Sequence, residues 1–126
     1  MCSEEFYVCK HCGNVAVKLF DSGSSLVCCG EAMSLLEPNT VEASVEKHLP
    51  VVTISGDKVL VEIGSAEHPM IDTHYIAWIY LATDRGGSIA CLKPGDKPKA
   101  TFTADGKVKA VYEYCNLHGL WKTEVK

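Results

Sequence analysis

Four cysteines in two close pairs, Cys9 with Cys12 and Cys28 with Cys29, fall within the first 30 residues of the chain. Cys9-Lys10-His11-Cys12-Gly13 has the form of a metal knuckle. Two thiolates three residues apart, with a glycine behind them, curl around one ion while backbone N–H groups turn toward the sulfurs. Cys28-Cys29-Gly30 completes a four-thiolate set. Its cysteines are adjacent, and successive side chains of an extended strand point to opposite sides, so both reach one ion only where the backbone bends. A distorted tetrahedron is therefore expected. Four thiolates suit zinc or iron, and the adjacent pair departs from the spaced pairs of a zinc ribbon, which favours iron. His11 lies inside the knuckle, but the four sulfurs already fill the shell, so it is expected to face solvent.

The other four histidines, His48, His68, His74 and His118, all lie in the second part of the chain. Three sit beside Pro or Gly at loop or strand-end positions: His48 before Leu49-Pro50, His68 before Pro69, and His118 within Cys115-Asn116-Leu117-His118-Gly119. Such positions are where a rigid scaffold presents functional groups. The Cys115-x-x-His118 spacing brings a thiolate and an imidazole within reach of one ion.

The elements that must position these groups read as strands. Val51–Ser55, Gly56-Asp57 and Lys58–Ile63 form a hairpin signal with positive φ expected at the first turn residue. His74–Thr83 is apolar on both faces, which suits a central strand between two layers. Ser88–Leu92, Ala100–Thr103, Lys107–Tyr114 and Leu120–Val125 are further strands, separated by Asp84-Arg85-Gly86-Gly87, Lys93-Pro94-Gly95-Asp96 and Asp105-Gly106. About seven short strands with turns every 8 to 12 residues fit an antiparallel sandwich. No capped apolar stripe of helical period is present, so the chain reads as all-β. Met33–Asn39 reads as a connector.

Composition narrows the function classes. Hydrophobic residues make up 47% of the 126 residues and charged residues 22%, a foldable globular balance. A net charge of −4 without any basic cluster argues against nucleic acid. No apolar run approaches the roughly 20 residues of a membrane span, and MCSEEFYVCK lacks the basic and apolar regions of a signal peptide. A cytoplasmic protein is expected. Seven cysteines in that reducing compartment point to metal ligation rather than disulfides. Cys2 and Cys91 are assigned no role; Cys91, in Ile89-Ala90-Cys91-Leu92, is expected to be a buried thiol acting as a small hydrophobe. Trp78, Tyr112 and Trp121 are expected in the core, with Trp121 also walling the site after His118.

Taken in order, Cys9-Lys10-His11-Cys12-Gly13-Asn14 with Cys28-Cys29-Gly30-Glu31 resembles the desulforedoxin domain, a small iron-binding knot. Glu46-Lys47-His48-Leu49-Pro50-Val51, Glu67-His68-Pro69-Met70, His74-Tyr75-Ile76 and Cys115-Asn116-Leu117-His118-Gly119-Leu120-Trp121 resemble the motifs of superoxide reductases. The resemblance spans nearly the whole chain and is to the two-iron class, the desulfoferrodoxins, since the single-iron neelaredoxins lack the front site. It implies a desulforedoxin-like iron domain over residues 1–36 and a catalytic immunoglobulin-like antiparallel β-sandwich over 37–126. It further implies two irons per chain, one held by Cys9, Cys12, Cys28 and Cys29. The other is ringed by His48, His68, His74 and His118, with Cys115 as axial ligand and the sixth position open.

The implied reaction is one-electron inner-sphere reduction of superoxide to hydrogen peroxide, with an external donor, rubredoxin in the family, restoring the iron. Four neutral imidazoles, one thiolate and Fe(II) sum to about +1, a favourable landing point for an anion. Lys47 would draw superoxide in and organise proton delivery. Glu46 resembles the family's carboxylate that takes the sixth position of the ferric iron. Pairing of desulforedoxin-like knots implies a homodimer. Three rivals are weaker: a pure electron carrier leaves Glu46, Lys47 and the histidines unexplained; a blue-copper protein needs a weak axial ligand that does not follow His118 and leaves two histidines over; and a structural zinc module uses only the front site.

Overall fold

The computed structural model describes residues 4–126, so Cys2 lies outside the described residues. The chain divides into two compact units, Met1–Glu37 and Pro38–Lys126.

In the first unit, β1 (Glu5–Val8) is flanked by β2 (Val15–Lys18) and β5 (Ser34–Leu35), while β3 (Val27–Cys28) and β4 (Glu31–Ala32) form a separate ribbon; all pairings are antiparallel. The strands are two to four residues long. Among the described residues of this unit, only Phe6 and Cys9 are buried. Local geometry is set by the knuckles: the Gly13 N–H donates to the Cys9 carbonyl at 2.9 Å, and Gly13 takes φ +83°, a left-handed conformation open to glycine.

The second unit begins with a single helical turn, α1 (Val45–His48), which the sequence reading did not anticipate because one turn carries no 3.6-residue periodicity. Seven strands follow: β6 (Pro50–Ser55), β7 (Lys58–Ile63), β8 (Ile76–Thr83), β9 (Gly86–Cys91), β10 (Lys99–Thr103), β11 (Val108–Cys115) and β12 (Gly119–Glu124). They form two antiparallel sheets, ordered β10-β7-β6 and β12-β11-β8-β9, the expected sandwich. β6 and β7 pair in the expected register, Ser55 opposite Lys58, across a turn in which Gly56 has φ +62°. β8 is interior to its sheet, between β11 and β9; Ile76, Ile79 and Leu81 are fully buried, whereas Ala77, Trp78 and Tyr80 are only half-buried.

Val59, Val61 and Ile63 of β7 alternate inward and meet Ile79 and Leu81 of β8 and Val111 of β11 in one core cluster. Each such fully buried side chain contributes roughly 1.5–3 kcal/mol of transfer free energy. The reading of Cys91 as buried is corrected. It is exposed, because successive side chains of β9 alternate: Ala90, opposite Ile79, packs against the core, and Cys91, opposite Trp78, lies on the other face.

Candidate metal centres

The front cluster is built where two knuckles meet. The sulfurs of Cys9, Cys12, Cys28 and Cys29 lie within 4.8 Å of one another. Cys29 has φ +53° and Gly30 φ +75°. A left-handed residue at Cys29 is the bend that two adjacent cysteines need if both are to face one point. The Cys12 N–H points at the Cys9 sulfur at 3.5 Å and the Asn14 amide at the Cys28 sulfur at 3.7 Å. The N–H of Cys12 is the main cause lowering the Cys9 thiol to about pH 6, whereas crowding by Cys12, Cys9 and Cys28 pushes Cys29 up to about 12. One thiolate is favoured and further ionisation is resisted. A cation reverses that resistance, since a coordinating thiol is deprotonated outright. The four sulfurs therefore fit a thiophilic metal. His11 is exposed, as expected, and faces Glu31 at 3.4 Å.

The second cluster sits at one end of the sandwich. His48 closes α1, His68 and His74 occupy the segment between β7 and β8, Cys115 ends β11, and His118 stands in the turn before β12. One nitrogen from each histidine and the Cys115 sulfur lie within 4.8 Å of one another. His48, His68 and Cys115 are buried, and His74 and His118 are half-buried.

Tautomers follow from the hydrogen bonds. His48 Nδ1 lies 2.7 Å from the Ser44 carbonyl and His68 Nδ1 2.7 Å from the Pro69 carbonyl. A carbonyl only accepts, so both Nδ1 atoms carry the proton and both Nε2 atoms present lone pairs. Those two Nε2 atoms stand 3.1 Å apart. His118 Nδ1 is 3.1 Å from His48 Nε2, and the Cys115 sulfur is 3.5 Å from His68 Nε2. His74 Nε2 is buried without a hydrogen-bond partner.

Converging lone pairs repel unless a cation lies among them. A proton is a poor candidate, because burial lowers His68 to about 4 and also lowers His48 and His74. A metal ion fits this donor set: four neutral imidazoles and one sulfur, the mixed-softness ligation of a transition metal. Burial pushes the Cys115 thiol up, and the N–H groups of Leu117 and His118 pull it down.

The surroundings hold the rings. Trp121 stacks on His48 at 4.9 Å and 23°, and its Nε1–H donates to the His118 carbonyl at 3.1 Å, so it walls the site as expected. Lys47 is exposed beside the cluster, close enough that its charge depresses both His48 and His74. Glu46 is also exposed; its backbone carbonyl accepts from Ala66 N–H at 3.0 Å and Ser65 Oγ at 3.3 Å. Gly64 lies beneath this turn, where a Cβ would come within 2.8 Å of the Glu46 and Lys47 carbonyls, so only glycine fits.

Sequence reasoning missed Glu113. It is fully buried two residues before Cys115, both carboxyl oxygens lack a partner, and desolvation raises its pKa well above the carboxylate range. The available signal was a lone acid inside the apolar run Val111-Tyr112-Glu113-Tyr114-Cys115.

Comparison with known proteins agrees in extent and order. Residues 3–36 match the family described as Desulfoferrodoxin, N-terminal domain, and residues 40–124 match Desulfoferrodoxin. A desulfoferrodoxin of Syntrophotalea carbinolica is 46% identical over 95% of both chains. The crystal structure of the superoxide reductase from Treponema pallidum superposes with a TM-score of 0.80 at 35% identity, covering 97% of this chain and 99% of that one. A superoxide reductase (1Fe-SOR) from Giardia intestinalis covers 64% of this chain and 98% of its own, with a TM-score of 0.55 and 32% identity. With two donor clusters in the matched regions and full-length identity of this order, the chain belongs to the desulfoferrodoxin family.

Proposed function

We propose that this protein is a superoxide reductase with two iron ions per chain, one held by Cys9, Cys12, Cys28 and Cys29 and the other by His48, His68, His74, His118 and Cys115. The observation that carries the reading is the convergence of bare imidazole lone pairs and the Cys115 sulfur on one point. Iron bound by these five donors supplies a one-electron couple, so that superoxide, one electron and two protons give hydrogen peroxide and no oxygen is released.

The chain's own residues do the rest. Lys47 is exposed, precedes His48 on α1, and carries a charge felt at His48 and His74; we assign its ammonium the attraction of a small anion and the lowering of the barrier to its protonation. Glu46 neighbours Lys47 on α1, and we assign its carboxylate the covering of the site between turnovers. Buried His48, His68 and Cys115 keep water from the inner side, while half-buried His74 and His118 leave the outer side approachable.

Each superoxide takes one electron, so an external one-electron donor must resupply the chain, and we propose a rubredoxin-type protein. Residues 1–36 are assigned as the desulforedoxin-like domain and 37–126 as the catalytic domain. A homodimer is supported by the first unit, which leaves Leu19 and Phe20 72% and 86% exposed and Val27 67% exposed. We also assign it a cytoplasmic location, in keeping with cysteines that gather in metal-ligand clusters rather than in disulfides.

The test is a rapid mix of reduced, iron-loaded protein with superoxide, with titration of products. The proposal expects one hydrogen peroxide per oxidised second-site iron and no oxygen. Oxygen and peroxide formed together would make the protein a dismutase, and no reaction would leave it an electron carrier.

A further inference from the structure

The two buried histidines are held by their rings, through Nδ1–H bonds to the Ser44 and Pro69 carbonyls. For His74 the hold comes from the backbone on either side. Its own N–H and carbonyl close a tight turn with Ile71, each bond 3.0 Å. The residues flanking it are then gripped from a different part of the chain. Asn116 Nδ2 donates to the Thr73 carbonyl at 3.1 Å, the Tyr75 N–H donates to Asn116 Oδ1 at 2.9 Å, and the Asn116 backbone N–H donates to the Tyr75 carbonyl at 3.2 Å.

Asn116 immediately follows Cys115 in the turn between β11 and β12. We infer that Asn116 is a positioning residue for the second metal centre, its side-chain amide straddling His74 and locking that histidine to the Cys115 end of the donor set. The inference rests on the reading of these five residues as one metal site.

The chemistry explains the residue type. A primary amide places an acceptor and a donor in one plane, matching one N–H and one carbonyl two residues apart. Aspartate keeps the acceptor for Tyr75 but sets a carboxylate oxygen against the Thr73 carbonyl. Leucine has the same shape and offers neither bond. Asn116 is exposed, so replacing it opens no cavity, and the two backbone groups it releases can turn to water. Its loss should therefore leave the sandwich intact while freeing His74 to swing relative to Cys115. Partners that orient metal ligands are typically worth 10–100-fold in metal affinity.

The experiment follows ferrous iron release from the second centre of the full-length, iron-loaded protein into excess chelator, for wild type, Asn116→Asp and Asn116→Leu. Release should be about 10–100-fold faster in Asn116→Leu and intermediate in Asn116→Asp. In a His74→Ala background, Asn116→Leu should add little, because the residue through which it acts is gone. A second measurement needs no metal: amide exchange of Tyr75 in the metal-free protein should rise about tenfold or more in Asn116→Leu, with Ile79 and Leu81 in β8 unchanged. Unaltered iron release, an equal acceleration without His74, or unaltered Tyr75 exchange would each overturn the assignment. None of these readouts uses superoxide, so failure of the reductase reading would be seen separately, as unchanged superoxide absorbance with the release pattern intact.

Discussion

The two metal centres are built on opposite plans. In the first unit the strands are two to four residues long, only Phe6 and Cys9 are buried among the described residues, and the donors are the organising feature. In the second unit a core that includes Val59, Val61, Ile79, Leu81 and Val111 takes in Cys115 alone of the five donors, and the four histidines hang from α1 and the loops around it. A unit of about 35 residues cannot bury enough surface to offset its chain entropy alone and needs a metal or an oligomer. A sandwich of about 90 residues can. The front site therefore stabilises its fold, and the rear site is stabilised by its fold, which leaves the rear donors free to be arranged for chemistry.

Metal removal should break the comparison open most widely. In the stripped protein, amide protection of Tyr7, Val8 and Ala16 should be lost entirely, while Ile79, Leu81 and Val111 keep theirs; hydrogen exchange reads both at once. Equal loss in the two units would make the rear metal structural as well.

Next in size is the lysine. Lys47→Ile should lower the second-order rate for superoxide by about tenfold or more and flatten its dependence on ionic strength, since steering by a single exposed charge is screened by salt. An unchanged rate removes Lys47 from the mechanism.

The rear site should also make the metal-free fold acid-sensitive. Burial holds His68 at about 4 against an ordinary 6.5, and lowers His48 and His74 in the same direction. The unfolded chain then binds more protons than the folded one at acidic pH. Stability is full above pH 6.5 and is lost as pH falls toward 4, which a urea-midpoint series on metal-free protein would read.

The smallest effect concerns Glu113, whose buried oxygens have no partner. Glu113→Leu should raise stability by about 1–3 kcal/mol, because it removes a desolvated polar group from the sandwich. Destabilisation by a similar amount would reveal an interaction that the carboxyl needs.

Much of this was legible in the sequence because the relevant signals are local. The cysteine pairs, the Gly56-Asp57 turn, the two-sided apolar character of β8 and the prolines beside His48 and His68 are short-range features. The bend at Cys29 could be anticipated because adjacent side chains on extended backbone diverge, and its φ of +53° is that bend. What escaped depends on which segments become neighbours. Cys91 was expected to be buried from its apolar run, yet which residue of that run faces the core is set by the register with β8, and it is Ala90, opposite Ile79, that does. Asn116 carries no motif of its own, because its partners at Thr73 and Tyr75 are 43 and 41 residues away. α1 is one turn long, too short for any periodicity to show.

We assign the superoxide chemistry to the histidine–cysteine centre and not to the four-thiolate one. The most direct test of that assignment is the second-order rate of superoxide reduction by iron-loaded protein in which Cys12 and Cys29 are both replaced by serine. That variant should lack the front centre's visible absorption and still consume superoxide at the wild-type rate, with one peroxide per second-site iron. A rate that falls in step with the loss of the front centre would contradict it.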